Sequence, residues 1–129
     1  MLYNFWLERN NNLEKVLNFR DLGLSETTLE AIGKKGYETP SPIQALCIPR
    51  LLDGTKDVIG QAQTGTGKTA AFSLPIIDRI ERENYVQAII LAPTRELVIQ
   101  VAEEISSLKG DKRLRVLPIY GGSDRKSVV

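Results

Sequence analysis

Short apolar runs and helical periodicities alternate along this chain. From residue 58 onward the order is regular: Val58 to Gln61, Val86 to Ala92 and Leu114 to Tyr120 are largely unbroken apolar stretches, which predicts strands. The second reads as a strand buried on both faces. Pro118 donates no amide hydrogen, so the third belongs at a sheet edge or ends there. Between the runs, apolar residues recur three and four apart. A helix starting near Lys68 carries Phe72, Ile76 and Ile80, with Ile77 beside them, on the face expected to pack on a sheet, and Pro75 is expected to kink it. Another starts after Thr94, an N-cap, with Glu96 in its first turn and Leu97, Val101, Ile105 and Leu108 on its buried stripe. Strand, helix, strand, helix, strand predicts an α/β fold: a parallel sheet with flanking helices, its loops gathered at the strands' carboxyl ends.

Two helices precede this unit. Ser25 caps a helix from Glu26 to about Lys35, with Leu29 and Ile32 on its apolar side and Gly36 as its stop. The second opens with Ser41-Pro42 and carries Gln44 where a capping box takes Glu or Gln. That box is a complete structural account of Gln44; the functional alternative is that its carboxamide, donor and acceptor together, pairs with the N6/N7 edge of adenine.

Between the first strand and the next helix lies Ala62-Gln63-Thr64-Gly65-Thr66-Gly67-Lys68-Thr69, which reads as a phosphate-binding loop. Polyphosphates need converging backbone amides with no side chains in the way and a mobile cation. Gly65 and Gly67 give the first, Lys68 the second, and Thr69 a hydroxyl for Mg²⁺, while the helix start adds free amides and a positive dipole end. Ala62 stands where the general pattern has glycine; the strand before and the helix after carry the assignment.

Composition narrows the chemistry. At 129 residues with a net charge of +1 the chain is one soluble domain's worth of material with no polycationic face, so nucleic acid would have to be met by local groups. One cysteine and no histidine leave no intrachain disulfide, no histidine-based triad and a poor prospect for zinc. Cys47 shares an apolar helix face with Ile43, Leu46 and Leu51 and reads as a buried thiol in a protein of a reducing compartment, the cytoplasm. Residues 1–18 form an N-terminal extension without the layout of a signal peptide and read as a frayed tail, with a translation start at Leu13 as the sharper alternative.

Phe19, the run Gly36 to Gln44, the loop Ala62 to Thr69, Pro93-Thr94-Arg95-Glu96-Leu97 and Gly121-Gly122 together resemble the front end of a DEAD-box ATP-dependent RNA helicase of bacterial type. In that family the first loop position is commonly alanine, which accommodates Ala62; Val98 stands where alanine is usual. The resemblance implies a RecA-like P-loop NTPase fold, with residues 19–123 an incomplete first domain. It implies that Phe19 stacks on adenine and Gln44 reads its edge, that Gly65, Thr66, Gly67, Lys68 and Thr69 hold ATP and Mg²⁺, and that Thr94, Arg95, Glu96, Gly121 and Gly122 follow an RNA backbone irrespective of sequence. Taken alone, Arg95 would be read as a surface ion pair with Glu96 or a neighbour, and Gly121-Gly122 as a turn.

Hydrolysis needs a carboxylate at the end of a buried strand to hold Mg²⁺ and orient water. The second and third runs end at Pro93 and Gly121 instead, and the family's Asp-Glu-Ala-Asp and Ser-Ala-Thr segments are absent, so this chain by itself is expected to be inactive, and to melt broadly. Residues 124–129 are what GAT CGG AAG AGC GTC GTG encodes, a sequencing-adapter string, and read as a non-native tail. Two other readings stay open: a DNA-directed helicase or other P-loop ATPase, and a non-catalytic module that binds nucleotide or RNA.

Overall fold

The computed structural model describes residues 18–122. The calls on the N-terminal segment through residue 17, the Leu13 start included, and on 124–129 lie outside them. Asn18 opens the described part by capping a 3-10 turn, Phe19–Leu22, in a reciprocal box with Asp21. Four α-helices follow: α1 (Glu26–Gly33), α2 (Pro42–Asp53), α3 (Lys68–Arg79) and α4 (Arg95–Leu108). Their starts follow the local chemistry read from the sequence. Ser25 and Thr94 accept from the amides of Thr28 and Leu97, and Ser41 and Gln44 form the full capping box over Pro42.

α2 and α3 form the central pair. Gln44 at the start of α2 donates to the Gly67 carbonyl at the start of α3, and Arg79 at the end of α3 donates to the Leu52 carbonyl at the end of α2. Starts tied to starts and ends to ends set the two helices side by side in one direction. α4 and α1 pack on α3 as well. The shared core includes Leu22, Ile32, Ile48, Leu74, Ile77 and Leu108, all buried. On α3 the buried stripe is Ala70, Leu74 and Ile77, whereas Phe72 and Ile80 are only partly covered. The face predicted from Phe72, Ile76 and Ile80 is thus shifted, because α3 faces α2 on one side and α1 and α4 on others, and the helix continues through Pro75.

The three predicted strands are corrected. Among the described residues no strand is formed: 58–61, 86–92 and 114–120 carry no ladder hydrogen bonds to one another. Ile59, Val86, Ile89, Leu91 and Ile119 are exposed, Ile59 completely. A ladder needs a neighbour about 4.8 Å away along its whole length, and these segments do not supply it to each other. The runs encode extended, apolar chain; they do not encode which partner lies beside it.

A carboxylate on α3 organises the other side of the molecule. Asp78 accepts from the Ser25 amide at 3.2 Å, the Ser25 hydroxyl at 2.5 Å and the Thr28 hydroxyl at 2.6 Å, so it caps α1 from 50 residues away or more. Lys112 donates to the carbonyls of Ile77 and Asp78, the cation meeting the negative end of α3. Asp78→Ala removes three acceptor contacts and is expected to destabilise the chain by roughly 1–3 kcal/mol. Asp78→Asn, which keeps one acceptor, should lose less. Chemical unfolding of the two variants checks the order, and an unchanged midpoint for Asp78→Ala would refute it.

Candidate functional site

The phosphate loop is shaped by two glycines in the left-handed region, Gly65 at φ 76° and Gly67 at φ 77°. Gly67 is also the N-cap residue of α3, where a side chain would strike the Gln44 carboxamide. Upstream, Gly60 lies against the Cys47 Sγ and the Ile43 side chain, so the chain enters the loop pressed onto α2. Burial pushes the Cys47 thiol above its ordinary value, as expected of a packed structural cysteine. Lys68 turns its ammonium onto the Ala62 carbonyl at 2.5 Å, and Thr66 donates to the Gln63 carbonyl at 2.6 Å. The ammonium therefore spans the mouth of the loop, next to the free amides that begin α3.

Gln44 is 4% exposed and works with both ends of its carboxamide. Oε1 accepts from the Ser41 amide at 2.9 Å and Nε2 donates to the Gly67 carbonyl at 3.2 Å. The capping box is present, and the same side chain joins the α2 start to the phosphate loop. An open groove lies there, lined by Lys35, Gly36, Tyr37, Glu38, Thr39, Ser41, Gln44, Thr66 and Gly67. Its volume of about 570 Å³ is in the range of small-molecule sites.

Phe19 is not on that groove. It is 3% exposed in the core, with its ring centroid 5.8 Å from that of Tyr37 and tilted by 59°. A stack with a base needs an open ring face, and the less buried member of this pair is Tyr37, which is half-buried and lines the groove. Reading the sequence missed Tyr37, although it sits inside the Gly36 to Gln44 run; an aromatic directly after a helix-stopping glycine was the available signal. Burial, with the Glu104 carboxylate second, holds the Tyr37 phenol above its usual value, so it stays protonated at neutral pH.

The remaining candidates gather at the start of α4. Thr94 caps the helix through its hydroxyl, with Leu97 donating at 3.2 Å, and Glu96 occupies the first turn. Arg95 does not pair with Glu96: its guanidinium carbon lies 4.6 Å from the centroid of the Tyr120 ring. This brings the helix start beside Gly121-Gly122, where a side chain would meet nothing within 4 Å. The sequence analysis did not pick out Tyr120. No carboxylate cluster able to hold a metal occurs among the described residues, and no helix among them is long and apolar enough to cross a membrane.

Known proteins are similar to this chain in sequence and in overall structure. The DEAD/DEAH box helicase family model matches residues 41–129, past Ser123 and through the segment read as a tail. The chain is 56% identical over 107 residues to the DEAD-box ATP-dependent RNA helicase CshA of Bacillus cereus, covering 82% of this chain and 20% of the relative. A crystal structure of a DEAD box protein from Methanococcus jannaschii superposes with a TM-score of 0.82 at 49% identity, over 86% of this chain and 31% of that one. The structure of S. cerevisiae Dbp5 bound to RNA and ADP BeF3 gives a TM-score of 0.68 at 40% identity, over 71% and 24%. The chain thus spans about a fifth of the length of the curated relative. Since the family model matches more than half of its length, the chain belongs to the DEAD/DEAH box helicase family.

Proposed function

We propose that this chain is the nucleotide-binding part of an ATP-dependent RNA helicase, which as a whole remodels RNA duplexes using ATP hydrolysis in the cytoplasm. One observation carries the reading: the buried Gln44 carboxamide bonded to the Gly67 carbonyl, which fixes an open groove against a phosphate loop. The names of the relatives support the substrate, since the Bacillus cereus protein is called an ATP-dependent RNA helicase and the Dbp5 structure holds RNA with a nucleotide.

Each residue then has a task. After its two bonds, Gln44 keeps one N–H and one lone pair, enough to meet an adenine edge that guanine does not offer. Tyr37 is the ring that a base meets, with Phe19 packed against it as support. The amides from Gly65 to Thr69 bind phosphate oxygens, and Lys68 exchanges the Ala62 carbonyl for a terminal phosphate. Thr69 fits as one hydroxyl ligand to Mg²⁺ brought in by the nucleotide, because no carboxylate group here would hold the ion independently. Mg²⁺, when bound, neutralises phosphate charge. Thr94, Arg95, Glu96, Gly121 and Gly122 border a strip where an RNA backbone lies along the α4 start and the glycine pair, gripped irrespective of sequence.

The purified chain is expected to bind ATP in preference to GTP and to release no phosphate with or without RNA, since 86–92 and 114–120 run into Pro93 and Gly121 and not directly into a carboxylate. Equal affinity for GTP would remove the adenine assignment. Phosphate release would remove the claim that hydrolysis needs residues beyond these.

A further inference from the structure

We propose that Tyr120 is a positioning residue that presents Arg95 to the RNA backbone. The inference rests on the RNA-backbone reading of Thr94, Arg95 and Gly121-Gly122. Arg95 is exposed in the first turn of α4, and a free arginine there would sample many rotamers before a strand arrived. Instead its guanidinium lies over the Tyr120 ring at 4.6 Å. A guanidinium that uses its face on a ring keeps its edge, where the N–H groups point outward in the plane of the fork. That edge is the part that binds two phosphate oxygens. The ring contact therefore limits side-chain freedom, while among the described residues no hydrogen-bond acceptor occupies the guanidinium N–H groups that the ligand needs.

Three further observations favour this role. No backbone hydrogen bond joins the start of α4 to 114–120 among the described residues, so the Arg95–Tyr120 contact links the two through side chains. Among the described residues the ion pairs are Arg20 with Glu26 and Lys34 with Glu30, and neither involves Arg95. The two residues after Tyr120 are Gly121 and Gly122, open on the side a Cβ would occupy, so an approaching phosphate reaches amides immediately beside the held guanidinium.

The test is binding of a fluorescein-labelled single-stranded oligouridylate at low salt, with ATP binding as the check that each variant is folded. Tyr120→Leu should weaken RNA binding roughly two- to fivefold, the range of an exposed cation–π contact, and leave ATP binding unchanged. Tyr120→Phe, which keeps the ring, should match the unaltered chain. Arg95→Ala should weaken binding further, and Tyr120→Leu added to it should change nothing more, because Tyr120 acts through Arg95. Arg95→Lys keeps the charge at an exposed position but loses the fork, and it too should be insensitive to Tyr120→Leu. If the losses add in the double variant, Tyr120 touches RNA itself and the positioning role falls. It falls equally if Tyr120→Leu binds like the unaltered chain or Tyr120→Phe binds like Tyr120→Leu. If Arg95→Ala has no effect, or the unaltered chain binds no RNA, the RNA-backbone reading falls and this inference with it.

Discussion

Gly67→Ala will weaken ATP binding by roughly a hundredfold. Two costs combine. A residue with a Cβ held at φ 77° is strained by about 1–2 kcal/mol. The added methyl also drives into the Gln44 carboxamide, whose Nε2 must then leave the Gly67 carbonyl, and a buried amide left unpaired costs about 1–3 kcal/mol. Together these amount to roughly 2–5 kcal/mol against the loop conformation that binds phosphate, and about 2.8 kcal/mol is a hundredfold in affinity. Titration with a fluorescent ATP analogue measures it. An affinity within about threefold of the unaltered chain would mean that the loop binds phosphate without this conformation.

Leu74→Ala is expected to cost about 2–5 kcal/mol of stability. Leu74 is fully buried midway along α3, in the cluster that the 3-10 turn and all four helices share. A whole domain is typically stable by only 5–15 kcal/mol, and large ones bury more apolar surface per residue than a short chain does. The expected result is loss of protease resistance across 18–122 at room temperature, together with loss of ATP binding. Ile59→Ala is the control: Ile59 is fully exposed, so the same truncation there should leave protease resistance unchanged. Equal resistance of Leu74→Ala and Ile59→Ala would show that α3 is not the centre of the packing.

What the sequence made legible was local. Ser25, Ser41 and Thr94 cap their helices because each side chain needs only an amide three residues on, and Gln44 completes its box by the same arithmetic. The phosphate loop was legible because its chemistry lies within eight consecutive residues. What depended on distant partners was hidden. Nothing near Asp78 announces that it caps α1, and nothing near Lys112 that it closes the end of α3. Phe19 and Tyr37 are both plausible base-stacking rings in one dimension, and only burial assigns one to the core and the other to the groove. The apolar runs gave extended chain correctly in composition but not in pairing, since hydrogen-bonded neighbours are a property of the sheet and not of the segment.

Two of the long side-chain ties described above also differ in how soon they can form. Gln44 and Gly67 are 23 residues apart, whereas Ser25 and Asp78 are 53 apart. For flexible chain, the larger loop costs about 0.7 kcal/mol more in closure entropy, and closing it requires α3 to be complete, because Asp78 lies in its last turn. That difference, roughly threefold at room temperature, favours contact between α2 and α3, with the nucleotide groove between their starts, ahead of the docking of α1. A chain paused partway would then already carry its phosphate loop in place, so that nucleotide present during synthesis has a surface to bind before the outer helix has docked.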